Sequence, residues 1–500
     1  IRFLSTRRCR HFLAAIAPRL LTAIAATPEP DTTLVNLSRV SDSLGGKAAL
    51  WELLSTNKPS LHLYVTLCAA CPYLAGILTS NPGMIDELMD SLLVEHLPTL
   101  AILEDSLAEL CKGAEDIDPI LHSFKNAQHL RVGVRDVLGK DDVRATHAAL
   151  ADVAEACLKQ IATREYDRLI DKFGVPTIQR PSDESLGSEI VRQNWKRYAD
   201  REGDACEPVV LALGKLGGRE PNYHSDLDLI FLYEFGGQTI GRNRGSHNGG
   251  TSGGTVNSHF FSEFGQRLIR VANHLGPHGR LYEVDARLRP TGRSGALAVS
   301  FDGFARYFAE GSGQLWERQS LCKARRVLGS EKAGQAAMEI VAQAAFGTPW
   351  RPEFATEIRQ MRMRLQETAS KRNLKRGLGG TVDTEFVVQM LQLKHGGADP
   401  TIRVPGTLDA LEALKNGGYL SAVDAEYFCQ SYRFQRSIEA RIRLMDATGR
   451  HELPDSDHEL GKLAYLLGYT NPQALVAEAE RIFAENRVRF DRIFEEAERG

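Results

Sequence analysis

No apolar run in this 500-residue chain reaches the roughly 18 residues that a membrane-spanning helix requires, so the sequence gives no reason to expect a membrane partner. Charge of one sign is not in excess either. Lys and Arg number 61 against 64 Asp and Glu, and the net −3 removes any argument for bulk adhesion to nucleic acid or to a membrane surface. Cysteine is scarce and unpatterned. Eight residues form no even framework, and the one C-x-x-C, Cys68 and Cys71 in LCAACPYL, has no second pair at zinc spacing. Buried helix cysteines in a reducing cytoplasm are the expectation. No Ser-His-Asp or Cys-His set offers a covalent nucleophile.

The chain is too long for one hydrophobic core, and roughly two to four units are expected. It opens on Ile1 followed by Arg2, Arg7, Arg8 and Arg10, as a targeting peptide can. The apolar part, Phe12–Ala26, is broken by Pro18 and Arg19 and continues in helical rhythm, so a piece of a longer protein is expected. Residues 1 to about 205 read as helices: Ala48–Leu54, Leu61–Leu78 (kinked or split at Pro72), Met84–Leu97, Leu100–Lys112 and Asp142–Phe173, the last ended by Gly174. They carry no reactive constellation and read as a scaffold or partner surface.

The pattern changes at Leu211–Glu234. Val209–Leu213 and Leu227–Tyr233 read as a paired hairpin, separated by the Gly-rich turn Gly214-Lys215-Leu216-Gly217-Gly218 and a polar connection. Asp226 and Asp228, two apart on a strand, share a face, with Leu227, Leu229 and Phe231 behind them. Two such carboxylates repel unless a cation sits between them, and hard oxygen ligands favour Mg2+ or Mn2+. An exposed Asp-x-Asp also occurs as a solvated edge pair. The glycines argue for more, because they let backbone N–H groups approach a phosphate.

The third carboxylate lies in Leu281–Pro290, which alternates as a strand does. Tyr282, Val284, Ala286 and Leu288 face one way, and Glu283, Asp285, Arg287 and Arg289 the other. Asp285 completes a three-carboxylate cradle, and Arg287 and Arg289 suit phosphate oxygens. Between the two stretches, Phe235–Asn257 reads as a surface loop and Ser258–Leu275 as an amphipathic helix capped by Ser258 and Gly276. Ala296–Ser300 reads as a strand, and Phe301–Glu310 and Leu315–Val327 as helices, the second carrying Lys323, Arg325 and Arg326. From about 335 the chain is helical again. Arg372–Gly380 is a basic Gly-rich loop leading into Asp383 and the stripe Glu385, Gln389 and Gln392. Asp383 either answers the helix dipole or, with the loop, touches a nucleotide or partner; the residues alone leave both open. Ala422–Asp446 carries Arg433, Arg436, Arg441 and Arg443, and Asn471-Pro472 starts a final helix.

Three clustered acids beside a Gly-rich turn suit nucleotidyl transfer, which needs positioning and charge neutralisation rather than a nucleophilic side chain. The motifs GKLGGREPNYHSDLDLIF, VDARLRPTGRSGAL, WERQSLCKARRV and GLGGTVDTEFVVQ resemble those of the glutamate–ammonia ligase (glutamine synthetase) adenylyltransferases, members of the polymerase-β-like nucleotidyltransferases. The resemblance runs from about Leu34 to the C-terminus. It implies an α+β, predominantly helical chain in which a small mixed sheet lies between helical domains: a helical region 1–140, a nucleotidyltransferase domain 141–335 with catalytic strands within 208–300, and a C-terminal helical bundle 336–500. It implies ATP as substrate, Mg2+ as cofactor, a glutamine synthetase tyrosine as acceptor, and PII signal protein and glutamine as effectors in the cytoplasm. The family's metal acids fall on Asp226, Asp228 and Asp285, and its phosphate turn on Gly217 and Gly218, with Lys215 and Ser225 nearby. Pro221 and the long Gly-rich loop depart from the pattern. SDLDLIFLYE and GGTVDTEF look closer to the adenylylating half. An adenylyl-removing half working by phosphorolysis and an inactive regulatory scaffold are the alternatives.

Overall fold

Pro208–Ala212 (β1) and Leu227–Tyr233 (β2) pair antiparallel, from Pro208↔Tyr233 to Ala212↔Leu229. Apart from Asp228, the side chains of both strands are apolar and almost all are buried, and the hairpin expected from the sequence is found within a residue. The chain is a computed structural model that describes residues 6–43, 47–81, 84, 96–183, 189–241, 254–276, 279–446 and 449–500. Three more short strands complete the sheet: Val284–Asp285 (β3), Ala298–Ser300 (β4) and Arg325–Leu328 (β5). β3 and then β4 run parallel along one edge of β2, and β5 lies antiparallel on the far side of β1. Helices Val143–Phe173, Asn257–Ala272 and Glu331–Phe346 pack on this sheet, and their apolar stripes share its hydrophobic core.

Helices flank the sheet on both sides in sequence, so the chain is predominantly helical α+β. The N-terminal helices Arg7–Ala25, Pro30–Ser43, Lys47–Thr56, Lys58–Ala70 and Pro72–Ser80 enclose a second core around Trp51 and Tyr64. Pro72 does split its helix, and the two pieces bend by 103°. Among the described residues no single helix is long and apolar enough to cross a membrane. Helices Ala422–Asp446, Asp457–Leu467 and Pro472–Arg499 hold a third core. All eight cysteines are free and none is exposed; burial pushes the Cys71 thiol up to about 12.

Several elements differ from expectation. Leu281–Pro290 alternates in burial, but only Val284–Asp285 finds strand partners before the chain turns at Pro290. The expected helix Leu315–Val327 stops at Leu321, and Arg325–Leu328 is a strand instead, because β1 offers it an open edge. The amphipathic helix is Asn257–Ala272, not Ser258–Leu275; Val256 precedes it, and Leu275–Gly276 pairs with Gly279–Arg280. In the Gly-rich loop Thr239–Ile240 pairs with Val175–Pro176. Residues 242–253 of that loop and most of Met84–Leu97 lie outside the described residues.

Candidate active site

The core needs Leu227, Leu229 and Phe231, and strand alternation therefore turns Asp226 and Asp228 to the other side. β3 runs beside them with Asp228↔Asp285 in register, which sets the third carboxylate next to the second. Ligand oxygens of Asp226, Asp228 and Asp285 lie within 4.8 Å of one another, Asp226 exposed and the other two half-buried. Burial, then the Asp226 and Asp285 carboxylates, push the Asp228 pKa up to about 7, against the pull of Lys375 and Arg287. Asp285 goes the other way: burial raises it, but hydrogen bonds from Arg287 outweigh burial and hold it below the usual range. This donor set fits a divalent cation, since it is all carboxylate oxygen and crowded enough that one acid resists ionising.

The Gly-rich turn closes on the acids through Gly214. Its φ is 53°, and a Cβ there would lie 2.1 Å from Asp228 Oδ2. Gly217 and Gly218 point elsewhere. Their N–H groups bond to Leu213 and Gly214 within the turn, and a Cβ on Gly217 would meet the Lys323 carbonyl at 1.9 Å. Arg325 fixes the turn from below, donating to the Leu216 and Gly217 carbonyls at 3.0 and 3.1 Å and to Glu155 on the long helix. Lys215 is drawn inward onto Glu385 and the Tyr432 hydroxyl. Burial pushes its pKa down to about 8, with Glu385 opposing.

Behind the acids, helix Ala422–Asp446 ties the hairpin down. Arg443 donates to Ser225 Oγ at 3.0 Å and to the Tyr223 carbonyl at 2.7 Å, and it is itself paired to Glu439 at 3.0 Å. Arg436 holds the Glu220 carbonyl and Glu439. Glu220 accepts from Lys323 at 2.7 Å and from Tyr432 at 3.1 Å. Arg441 pairs with Asp136, and Arg433 stays exposed. Ser225 is therefore a strut beneath Asp226.

The two arginines of the third-acid segment separate. Arg287 is exposed and donates to both Asp285 oxygens. Arg289 turns back to the carbonyls of Ala286, at 2.6 Å, and Gly295. The loop Arg372–Gly380 brings Lys375 into the field of Asp228. Asp383 does not face the cluster: it is fully buried on Arg362 and Arg487 and accepts the Gly379 N–H at 3.0 Å. Lys375 and Gly214 are residues that sequence reasoning passed over as contacts of the acids. Lys375 lies 147 positions beyond Asp228, and only its place in a basic Gly-rich loop marked it.

A family model described as glutamate-ammonia ligase adenylyltransferase matches residues 61–191 and 184–340. A second, described as GlnD PII-uridylyltransferase, matches residues 353–497. A bifunctional glutamine synthetase adenylyltransferase/adenylyl-removing enzyme of Streptomyces avermitilis is 32% identical over 467 residues, covering 90% of this chain and 41% of that protein. Proteins of the same description from Xanthobacter autotrophicus and Pseudomonas putida are 30% and 28% identical, over 99% and 90% of this chain. The chain spans less than half the length of these curated relatives.

Proposed function

Because the chain belongs to the glutamate-ammonia ligase adenylyltransferase family, we propose that it transfers AMP from ATP to a tyrosine of glutamine synthetase, with release of pyrophosphate. The observation that carries this reading is the meeting of Asp226, Asp228 and Asp285 within 4.8 Å on the face that Gly214 closes. In this reading residues 141–335 form a polymerase-β-like nucleotidyltransferase domain, between a helical region 1–140 and a helical bundle 336–500. Asp226, Asp228 and Asp285 would hold Mg2+, which when bound would supply charge neutralisation for the departing pyrophosphate.

The chain's own residues do the positioning. Asp226 and Asp228 are set by strand alternation, and Asp285 by register. Arg287, exposed and ion-paired with Asp285, can exchange that carboxylate for a phosphate oxygen. Lys375 supplies a second positive charge from the C-terminal bundle. Gly217, Gly218, Lys215, Ser225 and Arg289 act on nucleotide binding through the turns they hold rather than by touching it. In the transfer, the acceptor oxygen bonds to the α-phosphorus as the bond to pyrophosphate breaks. The likeness of residues 353–497 to a PII-uridylyltransferase model supports PII signal protein as a regulatory partner, and glutamine belongs with it as effector in a cytoplasmic enzyme.

The test uses this chain, unmodified glutamine synthetase, Mg2+ and α-labelled ATP, with Asp226→Ala/Asp228→Ala as control. Label on the synthetase that vanishes in the control establishes the reading. Phosphate-dependent loss of AMP from pre-modified synthetase, without label transfer, reverses the direction. Neither activity, with intact folding, leaves a regulatory scaffold or a half that needs its missing partner.

A further inference from the structure

Helix Ala422–Asp446 carries Arg436, Glu439 and Arg443 at steps of three and four residues, so their side chains share one face. All three are buried, and the two guanidiniums share the one carboxylate. Glu439 accepts from Arg436, from Arg443 at 3.0 Å and from His451 Nδ1 at 2.6 Å. Burial would raise its pKa, but Arg436 and then Arg443 outweigh burial and hold it well below the carboxylate range, so Glu439 is ionised at pH 7. The His451 segment is itself strapped to the basic loop. The His451 carbonyl accepts the Leu374 N–H at 2.8 Å, and the Arg372 carbonyl accepts the Leu453 N–H at 3.0 Å. Arg436 and His451 thus fix the Glu439 carboxylate independently of Arg443.

Arg443 is stretched between that anchor and the acid hairpin. Its Nη2 bonds Glu439 and lies 3.2 Å from His451 Nε2, while its Nη1 donates to the Tyr223 carbonyl at 2.7 Å and to Ser225 Oγ at 3.0 Å. The residue after Ser225 is Asp226, the exposed member of the acid cluster. Burial works against the Arg443 charge, and the carboxylates that favour it are Glu439 first and Asp226 second. One guanidinium is therefore drawn by two acids, one at each end of its span. A guanidinium and a divalent cation compete for the same carboxylate oxygens, so Arg443 closing on Asp226 would take a ligand from the cluster. Glu439 holds the guanidinium because its oxygens already stand at hydrogen-bond distance, fixed from the other side.

We propose that Glu439 is a positioning residue for the acid cluster: it retains Arg443 on the helical bundle, so that the guanidinium braces Ser225 and leaves Asp226 open to a divalent cation. The proposal rests on the reading that Asp226, Asp228 and Asp285 bind that cation. It adds that cation affinity is set partly by a helix outside the sheet, within residues 353–497.

The experiment compares the full chain with Glu439→Gln, which keeps the shape and removes the charge. Mn2+ affinity, read by electron paramagnetic resonance without nucleotide, is expected to fall about fivefold, the effect of one competing ion pair worth about 1 kcal/mol. Glu439→Gln/Arg443→Met, with no guanidinium left to turn, should recover that affinity. A metal-free readout is urea denaturation in EDTA with Asp226→Asn added to each background. In the parent chain Asp226→Asn relieves repulsion among the acids and should not destabilise. In Glu439→Gln it removes the new partner of Arg443 and should destabilise. Unchanged Mn2+ affinity in folded Glu439→Gln, no recovery in the double variant, or the same effect of Asp226→Asn in both backgrounds would overturn the proposal. If Glu439→Gln fails to fold, the Mn2+ and Asp226→Asn readouts in His451→Phe, which removes one anchor of Glu439 at a half-buried position, decide by their direction. Mn2+ binding that is absent from the parent chain, or indifferent to Asp226→Ala, would instead remove the reading beneath the proposal, and the proposal with it.

Discussion

The Arg287 guanidinium covers both oxygens of Asp285, with Nε at 2.9 and 2.6 Å from them, while most of its side chain stands in solvent. A cation and a guanidinium compete for the same carboxylate. Arg287→Ala is therefore expected to raise Mn2+ affinity a few-fold without nucleotide, because an exposed pair is a weak competitor. AMP transfer should fall, since the same variant removes a phosphate partner. Mn2+ titration by electron paramagnetic resonance, beside a transfer assay, separates the two effects. Lower metal affinity in the variant would mean that Arg287 orients Asp285 instead of screening it.

Asp228 should make metal binding and stability depend on pH in opposite directions. Its carboxyl is pushed up to about 7 by burial and by Asp226 and Asp285. The folded, metal-free protein thus holds a proton that the unfolded chain releases near pH 4. The corresponding stability is present below about pH 4 and is lost as pH rises towards 7. Denaturation in EDTA across that window should show falling stability, and Asp228→Asn should lack that slope. Mg2+ must displace the same proton, so its affinity should rise with pH up to about 7 and then level off. Proton release measured in buffers of different ionisation enthalpy checks this.

The acids were legible because strand alternation is local. Asp226, Leu227, Asp228 and Leu229 declare their faces within four residues, and Asp285 does so by the same rule. What holds them was not legible. Arg443 reaches Ser225 from 218 residues away, and nothing in a helix bearing four arginines says which of them turn inward. Strand β5 was hidden for a related reason. Lys323-Ala324-Arg325-Arg326-Val327 continues a helical run in sequence, and only the free edge of β1 makes it extended. Asp383 shows the limit most clearly: first-turn acid, nucleotide contact and buried ion-pair partner look alike in sequence, and the decision belongs to Arg362 and Arg487.

That burial yields a prediction about stability. Asp383 and the Arg362 side chain are both fully buried, and Arg487 adds a second cation at 3.2 Å. Asp383→Ala leaves two guanidiniums without their counter-charge and frees the Gly379 N–H. The expected loss is about 3–5 kcal/mol in urea denaturation, as for other broken buried pairs. Mg-ATP affinity, measured where the variant remains folded, should barely change, because Asp383 lies away from the acid cluster. A large loss of ATP binding with unaltered stability would place Asp383 at the nucleotide after all.

Lys215 and Glu385 pose the same question nearer to the acids. Burial would raise Glu385, but Lys215 and Lys323 outweigh it and hold its pKa down to about 2, so both partners are ionised at pH 7. Lys215→Met should destabilise the protein towards the lower end of about 3–5 kcal/mol, because Lys323 at 3.9 Å still faces the orphaned carboxylate. Lys215→Met/Glu385→Leu removes both charges and should recover more than about 1 kcal/mol of that loss, the mark of direct coupling in a double-mutant cycle. The double variant then isolates the role of the lysine. If Lys215 only braces the turn that carries Gly214, Mg-ATP binding returns with stability. If its ammonium leaves Glu385 to meet a phosphate, stability returns and ATP binding does not, which the single variant alone cannot tell from partial unfolding.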